Sequence, residues 1–227
     1  MLVDIQKVNK FYQIIPQQKR EVLIDLDLEI RKGETIAIVG RSGSGKSTLL
    51  NAIGSLDIPN SGKILFKGRD LVDFTEKERA DYRNSSVGFI FQAHHLLPHL
   101  SLLENILLPL VVVKDKSEKQ LAKARALQLI DYVGLTKNIE QLPGQLSGGE
   151  CQRTAVVRAL INQPDLILAD EPTGSLDDKN AELITDLLCE INKKYGVTIV
   201  MVTHSEKFAR KMQTILSLEN GKLAKIM

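Results

Sequence analysis

Residues 35–53 read TIAIV-GRSGSGKS-TLLNAI, and this stretch decides the fold. Thr35 to Val39 is a continuous apolar run, the pattern of a strand buried on both faces of a parallel sheet. Gly40-Arg41-Ser42-Gly43-Ser44-Gly45-Lys46-Ser47 follows and fits G-x-x-x-x-G-K-[ST], and Ser47 to Ile53 reads as a helix. In that strand–loop–helix context the loop is a phosphate cradle. Glycines let successive backbone N–H groups turn toward phosphate oxygens, and the helix adds its positive N-terminal end. Lys46 would reach the β- and γ-phosphates, and the Ser47 hydroxyl would ligate Mg²⁺. A flexible Gly/Ser turn is the bland alternative. The fixed positions would meet by chance in only about 1% of chains this long. Nucleotide binding is the expectation, with a binding set running from Gly40 through Thr48.

A second element lies at Leu166-Ile167-Leu168-Ala169-Asp170-Glu171. A buried strand ending in two acids places both at the carboxyl edge of the sheet, where ligands of α/β folds sit. Asp170 would hold Mg²⁺ directly or through water. Glu171 would polarise an attacking water. Two surface acids at a strand end are the alternative, which loses weight beside a phosphate loop.

Thr198 to Val202 (TIVMV) is a third buried run. Glu21 to Ile30 and Leu2 to Val8 instead alternate apolar and polar residues and suit an antiparallel sheet with one wet face. Helical spacing covers Ser117 to Val133, with Ser117 and Gln120 at capping-box distance, and also Gly149 to Ile161 and Asp178 to Tyr195. Asn220-Gly221 is a hairpin turn signal. The fold class is therefore α/β with a largely parallel sheet, an antiparallel part and a helical lobe at about 93–161, in one domain over 1–227.

Composition bounds the function. The chain of 227 residues is 43% hydrophobic and 26% charged, which excludes disordered, collagen-like and disulfide-rich classes. Thirty Lys+Arg against 28 Asp+Glu leave a net charge of +2, too small for a dedicated nucleic-acid binder. The run Ile106 to Val113 is broken by Pro109 and falls short of the ~20 residues of a membrane-spanning helix. Met1-Leu2-Val3-Asp4 shows no basic-then-apolar leader. Cys151 and Cys189 are too few for a disulfide framework. A soluble cytoplasmic chain is expected.

Leu146-Ser147-Gly148-Gly149-Glu150, followed by Gln152-Arg153, resembles the LSGGE/Q signature of ATP-binding cassette (ABC) ATPases, which other P-loop families lack. The resemblance extends over almost the whole chain, in order: Tyr12, the phosphate loop, Gln92 within Gly88 to Gln92, the signature, Glu171, Ser175-Leu176-Asp177 and His204. It implies a P-loop core with an antiparallel β subdomain and a helical subdomain. It further implies two copies, head to tail, sandwiching two ATP molecules with Mg²⁺. Tyr12 would stack on adenine, and Ser147, Gly148, Gly149 and Glu150 would meet the ATP held by the partner's Lys46 loop. His204 would contact the γ-phosphate, Gln92 the Mg²⁺ and water, and Asp177 would couple the two sites, with Glu171 as catalytic base.

The form Glu171-Pro172-Thr173-Gly174-Ser175-Leu176-Asp177 is similar to ATPases of lipoprotein-release and macrolide-export systems. So are Phe89 to Leu110 and an extra loop at Ile14 to Glu21. Such a subunit would sit on the cytoplasmic face of the inner membrane and drive a separate permease, with or without an adaptor. Lipoprotein, peptide, macrolide and haem exporters would all fit. A cytosolic ABC ATPase without a transporter is the alternative, disfavoured by the single uninterrupted cassette. A regulatory module without turnover ranks last, because Glu171, His204 and Gln92 are all present.

Three features read as less than they suggest. Cys151 at a helix N-terminus invites a lowered thiol pKa, but nothing pairs with it, so a neutral replacement is expected. His94, His95 and His99 lack cysteine neighbours and suit a permease-facing surface better than a metal site. Phe11 beside Tyr12 offers a second flat face.

Overall fold

The computed structural model describes residues 1–15 and 18–226. In chain order the strands are β1 (Val3–Ile15), β2 (Gln18–Ile30), β3 (Thr35–Val39), β4 (Ser61–Phe66), β5 (Arg69–Asp70), β6 (Val87–Phe91), β7 (Leu166–Asp170), β8 (Thr198–Thr203), β9 (Thr214–Glu219) and β10 (Lys222–Lys225). The α-helices are α1 (Lys46–Ile53), α2 (Glu76–Ser85), α3 (Leu102–Leu107), α4 (Lys116–Tyr132), α5 (Gly148–Leu160), α6 (Asp178–Tyr195) and α7 (Glu206–Ala209).

Among the described residues the strands form two sheets. One is six-stranded, in the order β10-β9-β3-β8-β7-β6, and parallel from β9 to β6. The other is four-stranded and antiparallel, in the order β2-β1-β4-β5. The apolar runs explain the division. Ile36, Ile38, Leu166, Leu168, Val200 and Val202 pack into one core with α1 and the antiparallel sheet. The residues between them, Ala37, Ile167, Ala169, Ile199 and Met201, pack into a second core with α4, α5 and α6. A period of two with both faces covered is a continuous apolar run. Each buried aliphatic side chain contributes ~1.5–3 kcal/mol.

Register places the chemistry. Val39 pairs with Thr203, and Asp170 pairs with both Val202 and Phe91. The carboxyl ends of β3, β8, β7 and β6 therefore finish level. The phosphate loop, Glu171, His204 and Gln92 leave the sheet at one edge, as the topology of open α/β sheets requires. Helices α3, α4 and α5 fill the connection between β6 and β7.

Two local expectations are corrected. The stretch Ile14 to Glu21 is not a separate loop: β1 and β2 pair from Val3↔Ile30 out to Ile15↔Gln18, and only Pro16 and Gln17 fall outside the described residues. Helix α4 is capped by Asp115 rather than Ser117. Asp115 Oδ1 accepts from Ser117 N at 2.7 Å and Glu118 N at 3.1 Å. A carboxylate at the N-cap also meets the positive end of the helix, and the Ser117 hydroxyl itself donates to it at 2.5 Å.

Candidate functional site

Gly45, at φ +105°, caps α1 in the left-handed region and turns the loop into the helix. A Cβ there would lie 2.8 Å from Val22 Cγ1 and 2.9 Å from Val22 O, so the loop closes against β2 only with glycine. Lys46, 6% exposed, donates to Gly40 O at 2.9 Å and Arg41 O at 3.1 Å. Its pKa is lowered, chiefly by burial, while Glu171 and Asp170 pull the other way. Ser47 Oγ donates to Asp170 Oδ1 at 3.0 Å. A cleft of about 720 Å³ opens above these groups. Tyr12, Ser42, Gly43, Ser47, Thr48 and Gln92 border it, together with Lys46, Asp170, Glu171 and His204. Arg41 and Ser44 face a neighbouring cleft across the loop.

Glu171 stands one residue beyond β7 at φ +46°, a strained conformation for a non-glycine residue that its N–H to Val202 O bond, 3.0 Å, helps to hold. Its Oε2 accepts from His204 N at 3.2 Å. His204 Nε2 lies 3.0 Å from Oε1, yet Oε1 accepts no hydrogen bond. His204 Nδ1 donates to Gly40 O at 3.1 Å, tying the histidine to the phosphate loop. The Glu171 pKa is raised, mainly because burial disfavours its charge, against the pull of His204 and Lys46. Only the ionised form accepts a proton, so kcat/KM should fall as pH drops through a value above the ordinary glutamate pKa of about 4.3. A pH–rate profile that stays flat down to about pH 4.5 would contradict this assignment.

Gln92 follows β6, and its side chain lies against Gly174, where a Cβ would come within 2.9 Å of Gln92 Nε2. Ser175 Oγ donates to Gln92 O at 3.1 Å. The turn after Gln92 holds His94 at φ +60° and His95 at φ +50°. Arg158 of α5 clamps it, donating to His94 O and His95 O at 2.6 Å each. Gln152, fully buried on the same helix, bonds His94 Nδ1 and the Phe91 carbonyl. Sequence reasoning missed the part that Arg158 and Gln152 play, because no spacing links α5 to a turn some 60 residues earlier. The His94 ring is thus held within the turn, while the His95 ring lies 4.7 Å from that of Phe91 and borders the cleft.

The signature residues open α5. Ser147 is its N-cap, and Glu150 closes a capping box, accepting from Ser147 N and Oγ at 2.7 Å each. Those bonds hold the Glu150 carboxyl below its usual range. Gly149 lies against α6: a Cβ would meet Asn180 Oδ1 at 2.6 Å. Asp177 caps α6, accepting from Asn180 N at 2.9 Å and Asn180 Nδ2 at 2.7 Å, which lowers its pKa. Neither residues 147–150 nor Asp177 borders the cleft above Lys46 among the described residues. Cys151 is buried with its thiol pKa pushed up by burial, as a neutral replacement would be. Of the two adjacent aromatics, Tyr12 borders the cleft, whereas Phe11 lies under Lys19 Nζ at 4.2 Å.

The profile of the ABC transporter family matches residues 23–174. The lipoprotein-releasing system ATP-binding protein LolD of Shewanella oneidensis is 46% identical over 223 residues, covering 98% of this chain and 96% of that protein. The protein of the same name from Xanthomonas campestris pv. campestris is 45% identical over 210 residues, covering 92% and 87%. The dimeric structure of MJ0796, a bacterial ABC transporter cassette, superposes with a TM-score of 0.87 at 37% identity, covering 99% of both chains. The post-hydrolysis dimer of the same cassette, bound to ADP and Pi, superposes at 0.86 with 36% identity. Matching the family profile and superposing on these cassettes along almost its whole length, the chain belongs to the ABC transporter family, as an ATP-binding subunit that hydrolyses ATP.

Proposed function

We propose that two copies of this chain, each acting as one unit over 1–227 with a helical lobe at 93–161, sandwich two ATP molecules and drive a separate membrane permease. One observation carries the reading: the Ser147 end of α5, a helix N-terminus suited to an anion, stands outside the cleft that Lys46 borders. A second copy placed head to tail would bring Ser147, Gly148 and Gly149 to the γ-phosphate held by Lys46. Lys46 and the loop N–H groups would hold the phosphates, His204 would contact the γ-phosphate, and Glu171 would take the proton of the attacking water. Asp177 would couple the two sites across the dimer.

The oxygens of Ser47 and Asp170, 3.0 Å apart, are hard donors of the kind Mg²⁺ selects, and Gln92 borders the same cleft. When bound, Mg²⁺ would neutralise charge on the phosphates. A groove of about 360 Å³ beside the Gln92 turn, bordered by Phe89, Phe91, Leu108, Pro109 and Arg158, is where the permease would dock. No helix among the described residues is long and apolar enough to cross a membrane. That fits a peripheral subunit on the cytoplasmic face of the inner membrane. The LolD relatives favour lipoprotein release over peptide, macrolide or haem export.

Affinity purification of the tagged chain from gently solubilised membranes of its source tests this. A stoichiometric multi-span permease, with any adaptor, is expected. Soluble partners alone would overturn the transporter reading in favour of a cytosolic ATPase.

A further inference from the structure

Tyr12 is 42% exposed at the rim of the cleft. Its hydroxyl donates to Asp57 Oδ2 at 2.7 Å, across 45 residues of sequence. Asp57 lies in the turn between α1 and β4 and is itself held firmly. Its Oδ1 accepts from Lys10 Nζ at 2.5 Å and from Ile58 N at 2.8 Å. Lys10, only 8% exposed, also donates to Ile58 O at 2.7 Å. The same turn grips the strand on either side: Phe11 N donates to Asn60 Oδ1 at 2.8 Å, and Asn60 N donates to Asn9 O at 2.9 Å.

We propose that Asp57, backed by Lys10, is a positioning residue that presets the Tyr12 ring as a platform for the base of the nucleotide. The inference rests on the reading of Tyr12 as the base-stacking aromatic. Asp57 does not border the cleft and does not touch the phosphate loop in any contact described, so its influence runs through the tyrosine hydroxyl. Stacking requires a flat face, which phenylalanine also offers. Affinity further depends on how much freedom that face must lose on binding. A ring already fixed by a charge-assisted hydrogen bond loses less. Phenylalanine is therefore not a conservative replacement at position 12. It leaves Asp57 Oδ2 without its donor and removes the hydroxyl that anchors the ring to Asp57 and Thr48.

The test uses the full chain with Tyr12→Phe, Asp57→Ala, the double variant and Tyr12→Ala. ATP and inorganic tripolyphosphate, which has no base, are the probes. Tyr12→Phe should weaken ATP binding about 3–10-fold, the loss appearing in KM and not in kcat. Tripolyphosphate affinity should not move. Adding Tyr12→Phe to Asp57→Ala should cost less than Tyr12→Phe costs alone, because the bond to Asp57 is already gone and only the hydroxyl's contact with Thr48 remains. Tyr12→Phe keeps the strand pairing and is a surface change, so it reports even if Asp57→Ala folds poorly with Lys10 left unpaired. If Tyr12→Ala weakens ATP binding but Tyr12→Phe does not, stacking stands and the positioning role is overturned. If Tyr12→Ala binds ATP as tightly as the parent, the stacking reading itself fails and takes the proposal with it. Equal loss of ATP and tripolyphosphate in Tyr12→Phe would mean a disturbed phosphate loop and would also overturn the proposal.

Discussion

Glu171→Gln should lower ATP turnover by about 10²–10⁴-fold while ATP still binds, a loss equivalent to about 3–5 kcal/mol of barrier. The variant keeps the shape of the side chain and an oxygen able to accept from His204 N, the contact made now at 3.2 Å. It replaces one carboxylate oxygen by an NH₂ group, and a neutral amide cannot take a proton from water as an ionised carboxylate can. Misfolding would not explain the loss. Burial raises the folded-state pKa of Glu171, so its ionisation costs stability as pH rises from the ordinary glutamate range through that higher value. Near neutral pH the neutral amide should melt at the same temperature as the parent or higher. Phosphate release and light scattering are the measurements. With ATP the variant should persist as a dimer, and without nucleotide both proteins should be monomers or weak dimers. Turnover within a few-fold of the parent would remove Glu171 from the role of base.

Lys46→Ala is expected to weaken ATP binding by about two orders of magnitude or more. A hydrogen bond between an ammonium and an anionic oxygen contributes ~1.5–3 kcal/mol, and each 1.4 kcal/mol is tenfold in affinity. Loss of contacts to both the β- and γ-phosphates reaches that size. The cost to the fold should be smaller, since the partners of Lys46 now are the carbonyls of Gly40 and Arg41, beside an open cleft. Lys46→Arg should not rescue binding, because a planar guanidinium cannot fill the site of a compact ammonium enclosed by the loop. Thermal melting reads this directly. At 100 times its Kd, ATP stabilises a protein by about 2.7 kcal/mol, and the variant should lose most of that shift at the same concentration. A full shift in Lys46→Ala would place the phosphates elsewhere.

Much of the fold was legible because its signals are local. The three buried runs became β3, β7 and β8, and α6 runs from Asp178 to Tyr195 as its spacing predicts. Its ends are marked in the sequence by Asp177 as cap and by Gly196, at φ +66°, as stop. Helix α2 carries little periodic signal although Thr75 and Glu78 form a capping box. Only Arg79 and Tyr82 of that helix are buried, so it has almost no apolar stripe to detect. The short strands β4 and β5 gave no clear alternation either, since Ser61, Gly62 and Lys63 are all exposed.

The spacing from Gly40 to Ser47 was enough to outline a phosphate cradle. A cradle of consecutive N–H groups, its lysine and its serine are built from neighbouring residues, so their spacing is their geometry. What surrounds that loop follows from packing between segments far apart in the chain. The apolar alternation required two covered faces but did not say that β1 and β2 would form a separate sheet with β4 and β5. The hold of Asp57 on Tyr12 and the clamp of Arg158 on the Gln92 turn join residues 45 and more positions apart. Such pairs leave no periodic trace, because a hydrogen bond needs two atoms about 3 Å apart in space and is indifferent to their separation along the chain.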